Sequence, residues 1–342
     1  MARHFFNRLG GSLAAIFGAS IVAFILLRML PGNPAKTIVG PFATDDIVQR
    51  QYEAMGLDQP LYVQYWRFVS DFFQGDWGYS YSIGNTVNAE FAARLPATIE
   101  LGLYAFVFAF TGAVVFALLS TYRRRASVDG LVQGTAFLGL GTPPFFVGLL
   151  GLLLLSSWLG VLPGPEGRLS PATVPPPEVT GLYTVDSVIA GQPATLWDAF
   201  VHLLLPAFTL AFAAYAFLVR LLRANLLEVS REQFLVVSRS KGVSRWTSFR
   251  RHALPNALLP TITAGGLILA QLVSGSVLVE GVFNWPGVGQ SVATAIVSKD
   301  FAIVQTFILL AAVAYVVVNL AVDTLYGVID PRVRSGASVG SR

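Results

Sequence analysis

The chain has no cysteine, only three histidines and little charge: Asp, Glu, Lys and Arg together make up 12% of its 342 residues. The missing cysteine excludes disulfides, thiolate metal sites and a cysteine nucleophile. The missing charge excludes more. A soluble domain carries about 25% charged residues, and half that density cannot clothe a water-facing surface. What is present is apolar: 54% hydrophobic and 12% aromatic residues, with 32 glycines and a mean hydropathy of +0.63. That is the composition of a membrane protein, not of a disordered or fibrous chain. The formal charge of +4 carries no argument for nucleic acid, because no base-reading motif accompanies it.

Six apolar runs reach the length of a bilayer-crossing helix: Leu9–Leu30, Ile99–Tyr122, Leu131–Leu159, Phe200–Leu222, Ala257–Val282 and Ile303–Val328. Backbone groups in lipid must be satisfied inside their own segment, so each run is read as a helix. Thr142-Pro143-Pro144 interrupts the third, and proline there predicts a kink or a break. The first run is longer than a signal-peptide core and has no small-residue cleavage site at Arg28-Met29-Leu30-Pro31, so it reads as a retained span. The segment 160–199, with Pro175-Pro176-Pro177 at its centre, predicts an extended loop ending in a short interfacial piece near Leu196-Trp197.

Lys and Arg are distributed unevenly. The N-terminal tail and the segments 123–130, 220–256 and 329–342 hold two, three, eight and three; 31–98, 160–199 and 283–302 hold four, one and one. Basic residues collect on the cytoplasmic face, which places both termini in the cytoplasm and makes 31–98 an external loop. The expected organisation is an N-terminal tail with the first span (1–30), that external loop (31–98), and a core of five spans (99–342) with a cytoplasmic loop at 223–256. The histidines His4, His202 and His252 fall on different sides of the bilayer, which leaves no Ser–His dyad and no metal cluster. No Gly-x-x-x-x-Gly-Lys-Ser/Thr phosphate loop occurs, so ATP hydrolysis by the chain itself is not expected.

The cytoplasmic loop is the most informative stretch. Ser230 followed by Glu232 and Gln233 reads as a capping box, and Gly242 as a helix stop, with a helix of about a dozen residues between them. Phe234, Val237 and Ser238 share one face of it. Such a helix can dock into a groove of a soluble partner, with Arg231, Arg239, Lys241 and Arg245 supplying steering. On charge alone, a basic loop that merely sets topology and touches anionic lipid is the favoured reading. Ionisable residues near the span ends, Arg28, Glu100, Arg220 and Glu280, are expected to reach headgroups or cap helices. Gln271 and Ser274 in span five, and Asn319 and Asp323 in span six, divide between helix packing and a cavity lining. Trp285 is expected on the external face, either as an interface anchor or against a partner.

Spacing adds a resemblance. Aligned on Gly242, nine residues precede His252, and Leu254-Pro255 follow, as in the Glu-Ala-Ala loop of permease subunits of ATP-binding-cassette importers; Val236, Val237 and Ser238 stand at the Glu-Ala-Ala positions, and His252 stands for Ile. Dipeptide and oligopeptide permeases carry relaxed forms of that motif. Leu30-Pro31-Gly32-Asn33-Pro34, Gly56-Leu57-Asp58-Gln59-Pro60, Gly75-Asp76-Trp77-Gly78-Tyr79-Ser80, Arg94-Leu95-Pro96-Ala97-Thr98, Thr142-Pro143-Pro144-Phe145-Phe146, Glu280 to Gly289 and Asp330-Pro331-Arg332-Val333-Arg334 resemble the same branch in order. The resemblance implies an all-α polytopic permease of the MetI-like, type I importer fold. It implies a homologous second permease, two ATPases that bind ATP and Mg, and an external substrate-binding protein as partners, with no cofactor or catalytic residue in this chain. The cargo it implies is a di- or oligopeptide, with nickel chelates or oligosaccharides as alternatives and an ion-coupled carrier as a more distant one. Arg231, Phe234, Val237, Ser238, Arg239, Lys241, Gly242, Leu254 and Pro255 are then the ATPase-coupling residues. Gln271, Ser274, Asn319 and Asp323 are candidates for the path, and Asp76, Trp77 and Trp285 for contact with the binding protein.

Overall fold

The computed structural model describes residues 2–29, 33–40, 42–123 and 126–329. Leu30-Pro31-Gly32 and the 330–334 motif lie outside the described residues. The chain begins with a helix, α1 (Ala2–Met29), whose apolar part is Ile16–Met29. Three short helices follow: α2 (Pro34–Val39), α3 (Asp45–Ala54) and α4 (Leu61–Gln74). Gly75 ends α4 at φ +82, and a small antiparallel hairpin, β1 (Tyr79–Ser80) with β2 (Asn85–Thr86), leads into α5 (Val87–Arg123).

Next come α6 (Ala126–Gly141) and α7 (Pro144–Gly151), the latter running on as a wider π-helical segment to Trp158. The two meet at 110°. Pro144 drives Pro143 out of the helical region, to ψ 135, because the proline ring crowds the residue before it. The expected interruption of the third span is therefore a sharp break between two half-helices.

After an irregular stretch come α8 (Tyr183–Ile189) and α9 (Pro193–Val229). Leu196-Trp197 belongs to the first turns of α9, which corrects the expected separate interfacial piece. Then follow α10 (Gln233–Ser240), α11 (Arg245–Ser248) and, through a π-helical turn, α12 (Leu254–Val273). The chain closes with α13 (Val277–Val282), α14 (Val288–Ser298) and α15 (Phe301–Ile329). The apolar run 257–282 is thus not one helix: it breaks at Ser274-Gly275-Ser276, where Gly275 takes φ +92. Among the described residues, four helices are long and apolar enough to cross a membrane, and the bent pair adds a fifth candidate.

The core lies between α5 and α9. Ala97, Leu101, Ala105, Ala109, Ala113 and Ala117 recur every fourth residue along α5, each at most 1% exposed. That stripe meets Leu203, Ala207, Leu210, Ala211, Leu218 and Leu222 of α9. Small residues at i, i+4 let two helices approach closely, which is how helices associate where lipid removes the hydrophobic drive. Gly139 does the same for α6: a Cβ there would lie 2.7 Å from the Ala216 Cβ and 2.9 Å from the Phe212 carbonyl oxygen.

Around the end of α5 near its N-terminus, the loops are tied down by buried charge. The Arg168 guanidinium donates to Glu100 at 2.7 Å and to the Gly181 carbonyl at 2.8 Å, and lies 3.5 Å over the Tyr183 ring. The Thr184 N–H and hydroxyl complete the Glu100 carboxylate. Asp186 accepts from the backbone N–H groups of Val179, Thr180 and Gly181 and from the Thr180 hydroxyl. Burial favours its protonated form, but these hydrogen bonds outweigh it and hold the carboxyl below the usual carboxylate range. Asp300 accepts from the Ser80 and Ser82 hydroxyls and so pins the hairpin to the start of α15. Glu100 and Glu280, at 2% and 0% exposure, therefore do not reach for headgroups. A carboxyl buried near a span end is held here by hydrogen-bond donors, at Glu100 with the Arg168 guanidinium among them, and does not snorkel.

Candidate functional site

A cavity of about 820 Å³ opens between α9, α12 and α15. Its wall is apolar, from Leu210, Phe217, Leu267, Ile268 and Phe307, with Gln271, Ser274, Ser276 and Tyr315 as the polar side chains. No carboxylate, amine, guanidinium or imidazole lines it among the described residues. Gln271 and Ser274 thus share a cavity, although the Ser274 hydroxyl is committed to the Ala270 carbonyl at 2.7 Å. The side chains of Asn319 and Asp323 lie outside the described residues; the backbone of both belongs to α15. Gly265, by contrast, is a packing position, where a Cβ would press on Phe110 at 3.3 Å.

The unwound Ser274-Gly275-Ser276 segment forms one edge of this cavity, and a carboxylate organises the chain just beyond it. Glu280 accepts from the Thr98 hydroxyl at 3.0 Å and from the Gln290 N–H at 3.1 Å. The Val288 N–H donates to the same Thr98 hydroxyl. A Cβ on Gly289 would lie 2.8 Å from a Glu280 carboxylate oxygen, so the backbone can close on that oxygen only where no side chain intervenes. Trp285 is 1% exposed, and its indole N–H donates to the Ala97 carbonyl. It is a core residue that plugs the loop onto α5, which corrects its expected place as a surface anchor or partner contact.

At the opposite end of α9 the chain is held more loosely. Ser230 does not open the next helix; its hydroxyl donates to the Leu226 carbonyl at 2.5 Å and caps the end of α9. The expected capping box is thus absent, because a hydroxyl one turn past Leu226 finds that carbonyl first. The loop helix α10 has eight residues instead of about a dozen. Gly242 ends this region at φ +82, a conformation that strains any residue with a Cβ. On α10, Leu235 is 2% exposed and faces the core, whereas Phe234 and Val237 are 44% and 52% exposed. Ser238 turns inward to a hydrogen bond with the buried Ser248 hydroxyl, so it does not share the exposed Phe234–Val237 face. Arg231 and Lys241 are exposed; the Arg239 side chain lies outside the described residues. An aromatic cluster of Tyr122, Trp246 and Phe249 couples this loop to the end of α5, with ring centroids 5.1–6.4 Å apart. Leu254 and Pro255 start α12, where the proline occupies a first-turn position that needs no backbone donor.

Residues 109–335 match the family described as binding-protein-dependent transport system inner membrane component, and residues 1–102 match the N-terminal membrane component of the same systems. The chain belongs to this family. It is a multi-pass inner-membrane permease component, so its work is transport and not catalysis. The chain is 41% identical over 330 residues, 96% of its length and 97% of the relative's, to the probable D,D-dipeptide transport system permease protein DdpB of Escherichia coli K12. The di/tripeptide transport system permease protein DppB of Pseudomonas aeruginosa is 36% identical over 96% of this chain and 97% of its own length. The glutathione transport system permease protein GsiC of Escherichia coli K12 is 32% identical over 98% and 99%.

Within a permease of this family, the Gly75–Ser80 motif has a structural part to play. Asp76 is exposed and accepts from the Gly78 N–H. Trp77 is half-buried, stacked on Phe72 at 5.5 Å, with its indole N–H on the Phe72 carbonyl. Sequence reasoning missed Thr98, Arg168, Thr184 and Gln290. Hydroxyls and a lone arginine in a proline-rich stretch give no periodic signal, and the Arg168–Glu100, Thr184–Glu100 and Val288–Thr98 contacts join residues 68, 84 and 190 apart.

Proposed function

We propose that this chain is one of two homologous permeases of an ATP-driven importer, and that di- or oligopeptides delivered by an external binding protein pass through the cavity between α9, α12 and α15. The observation that carries the reading is similarity over nearly the whole chain to permeases named for dipeptide and di/tripeptide transport. The cavity wall supports it: Gln271, Ser276 and Tyr315 offer neutral hydrogen-bonding groups, and no carboxylate, amine or imidazole lines it among the described residues. The second permease covers the open side of the cavity.

The 223–256 loop faces the cytoplasm with both termini, and two ATPases that bind ATP and Mg grip α10 through Phe234 and Val237, steered by Arg231, Arg239 and Lys241. Ser238 and Gly242 fix the lever's geometry, and Leu254 and Pro255 carry its motion into α12. Closure of the ATPases tilts α9 and α12, attached at either end of the loop, and switches the cavity between its two openings. Asp76 and Trp77 mark the side that meets the binding protein.

Uptake of a labelled dipeptide by proteoliposomes holding the full complex tests this reading. It should require ATP and the binding protein and survive an uncoupler. Uptake that collapses with the proton gradient and ignores ATP would overturn it. Because the chain has no cysteine, single cysteines at the exposed Ala172 and Ser244 report orientation directly: the first should label from outside, the second only after permeabilisation.

A further inference from the structure

A second, smaller cavity, of about 370 Å³, lies at the C-terminal end of α1 and is lined by Arg28, Asn33, Tyr52, Leu61, Gln64 and Phe301 among others. It is separate from the cavity between α9, α12 and α15, with which it shares no lining residue. Two side chains in it hold unmet hydrogen-bonding capacity. The Arg28 guanidinium sits over the rings of Phe24 and Phe301, at 5.0 and 5.1 Å. Its Nε is buried without a hydrogen-bond partner, and no carboxylate among the described residues pairs with it. Gln64 donates its amide N–H groups to the Leu57 and Gln59 carbonyls. That fixes the amide orientation, since a flip would set oxygen against oxygen. Its Oε1 is left buried and unpartnered.

A half-buried cation without an anion is costly; among the described residues, the arginines Arg94 and Arg168 each close on a buried carboxylate. An open donor and an open acceptor in one cavity ask for a ligand that carries both an oxyanion and an N–H group. The mouth of the cavity supplies the remaining requirement. Leu61 on its rim is 56% exposed, and on α1 itself Leu26 and Met29 are 59% and 73% exposed, an apolar surface on a spanning helix that acyl chains can cover.

We propose that this cavity is a binding site for the phosphoethanolamine headgroup of a membrane phospholipid. The Arg28 guanidinium donates to the phosphate, the Gln64 Oε1 accepts from the ammonium, and the Tyr52 hydroxyl stands in the same wall as a further donor. Bound lipid would fasten α4 and the loop helices to α1. The shared chemistry, a phosphate oxyanion, also belongs to soluble inorganic phosphate, and the test separates the two.

The test is native mass spectrometry of the full chain purified with its transport partners from nanodiscs of defined composition. Wild type should retain phosphatidylethanolamine about tenfold better than phosphatidylcholine, whose quaternary ammonium has no N–H for Gln64. Arg28→Gln and Gln64→Glu should each lower retention about tenfold, whereas Arg220→Gln, an exposed arginine elsewhere, should not. Gln64→Glu keeps the test decisive where Arg28→Gln fails to assemble, because its carboxylate gives Arg28 an internal counter-ion and repels phosphate. Equal retention in Gln64→Glu and wild type overturns the proposal. Displacement of the lipid by millimolar inorganic phosphate alone overturns the lipid as occupant and assigns the site to soluble phosphate.

Discussion

The two ends of α9 are built on opposite plans. Near Pro193, buried carboxylates at Glu100, Asp186, Glu280 and Asp300 are each met by hydrogen-bond donors, from remote segments for Glu100, Glu280 and Asp300 and from the adjoining Val179–Gly181 turn for Asp186. Near Val229, the connecting loop rests on Leu235, the Ser238–Ser248 hydrogen bond and a cluster of three aromatics, and it turns Phe234 and Val237 to solvent. The ion pair of Arg223 with Asp129, at 2.7 Å, ties α9 to α6 before the loop starts. Paired buried charge has a narrow range of allowed geometries, while a short helix held by packing can rock as a body. In the proposed function, the stiff end is the one that meets the binding protein and the compliant end the one that a nucleotide-driven partner pushes.

The largest expected effect breaks the stiff end. Arg168→Ala strips Glu100 of its cationic partner at 2% exposure, which should cost about 3–5 kcal/mol and show as a lower Tm of the purified complex; an unchanged Tm would mean the staple is not structural. A methyl group at Gly289 should overpack the Glu280 cradle by about 1–3 kcal/mol, while Gly281→Ala, whose Cβ meets nothing within 4 Å, serves as control.

Opposite behaviour is expected at the compliant end. Phe234→Ala with Val237→Ala should leave Tm nearly unchanged, since both side chains are exposed, and should weaken co-purification with the ATPase by about 2 kcal/mol of binding, as for an interface anchor. Gly242→Leu, forced to φ +82, should uncouple ATP hydrolysis from uptake with the complex assembled; normal uptake would remove the lever from the account.

The smallest effect is a pH dependence that sharpens the comparison. Asp186 titrates below the usual carboxylate range when folded, so its contribution is present above the unfolded value of about 3.9 and is lost as pH falls through the folded value. Wild-type Tm should therefore fall on acidification below about pH 4 more steeply than that of Asp186→Asn, and parallel curves would show that the carboxylate does not matter.

The architecture was legible wherever one physical requirement repeats along the chain. Apolar runs of spanning length, Pro143-Pro144 and the helix-stopping Gly242 each act within a few residues of themselves. The readings that failed share a different cause. Ser230 looked like a helix start because its neighbours fit the pattern, but the Leu226 carbonyl lay closer. Trp285, Glu100 and Glu280 looked like residues of the bilayer surface because such residues usually are. Their partners, Ala97, Arg168 and Thr98, come from elements far away in the chain, and no local pattern encodes that meeting.

By itself, then, the sequence determined that this is a helical membrane permease, since lipid imposes length, apolarity and internal hydrogen bonding on every span regardless of neighbours. Only the tertiary structure decided which ionisable groups are buried, where span five breaks, which face of α10 is free and that Arg28 lacks an anion. Those outcomes depend on distances between segments remote in sequence, and electrostatic cost is set by what stands within a few ångströms in space.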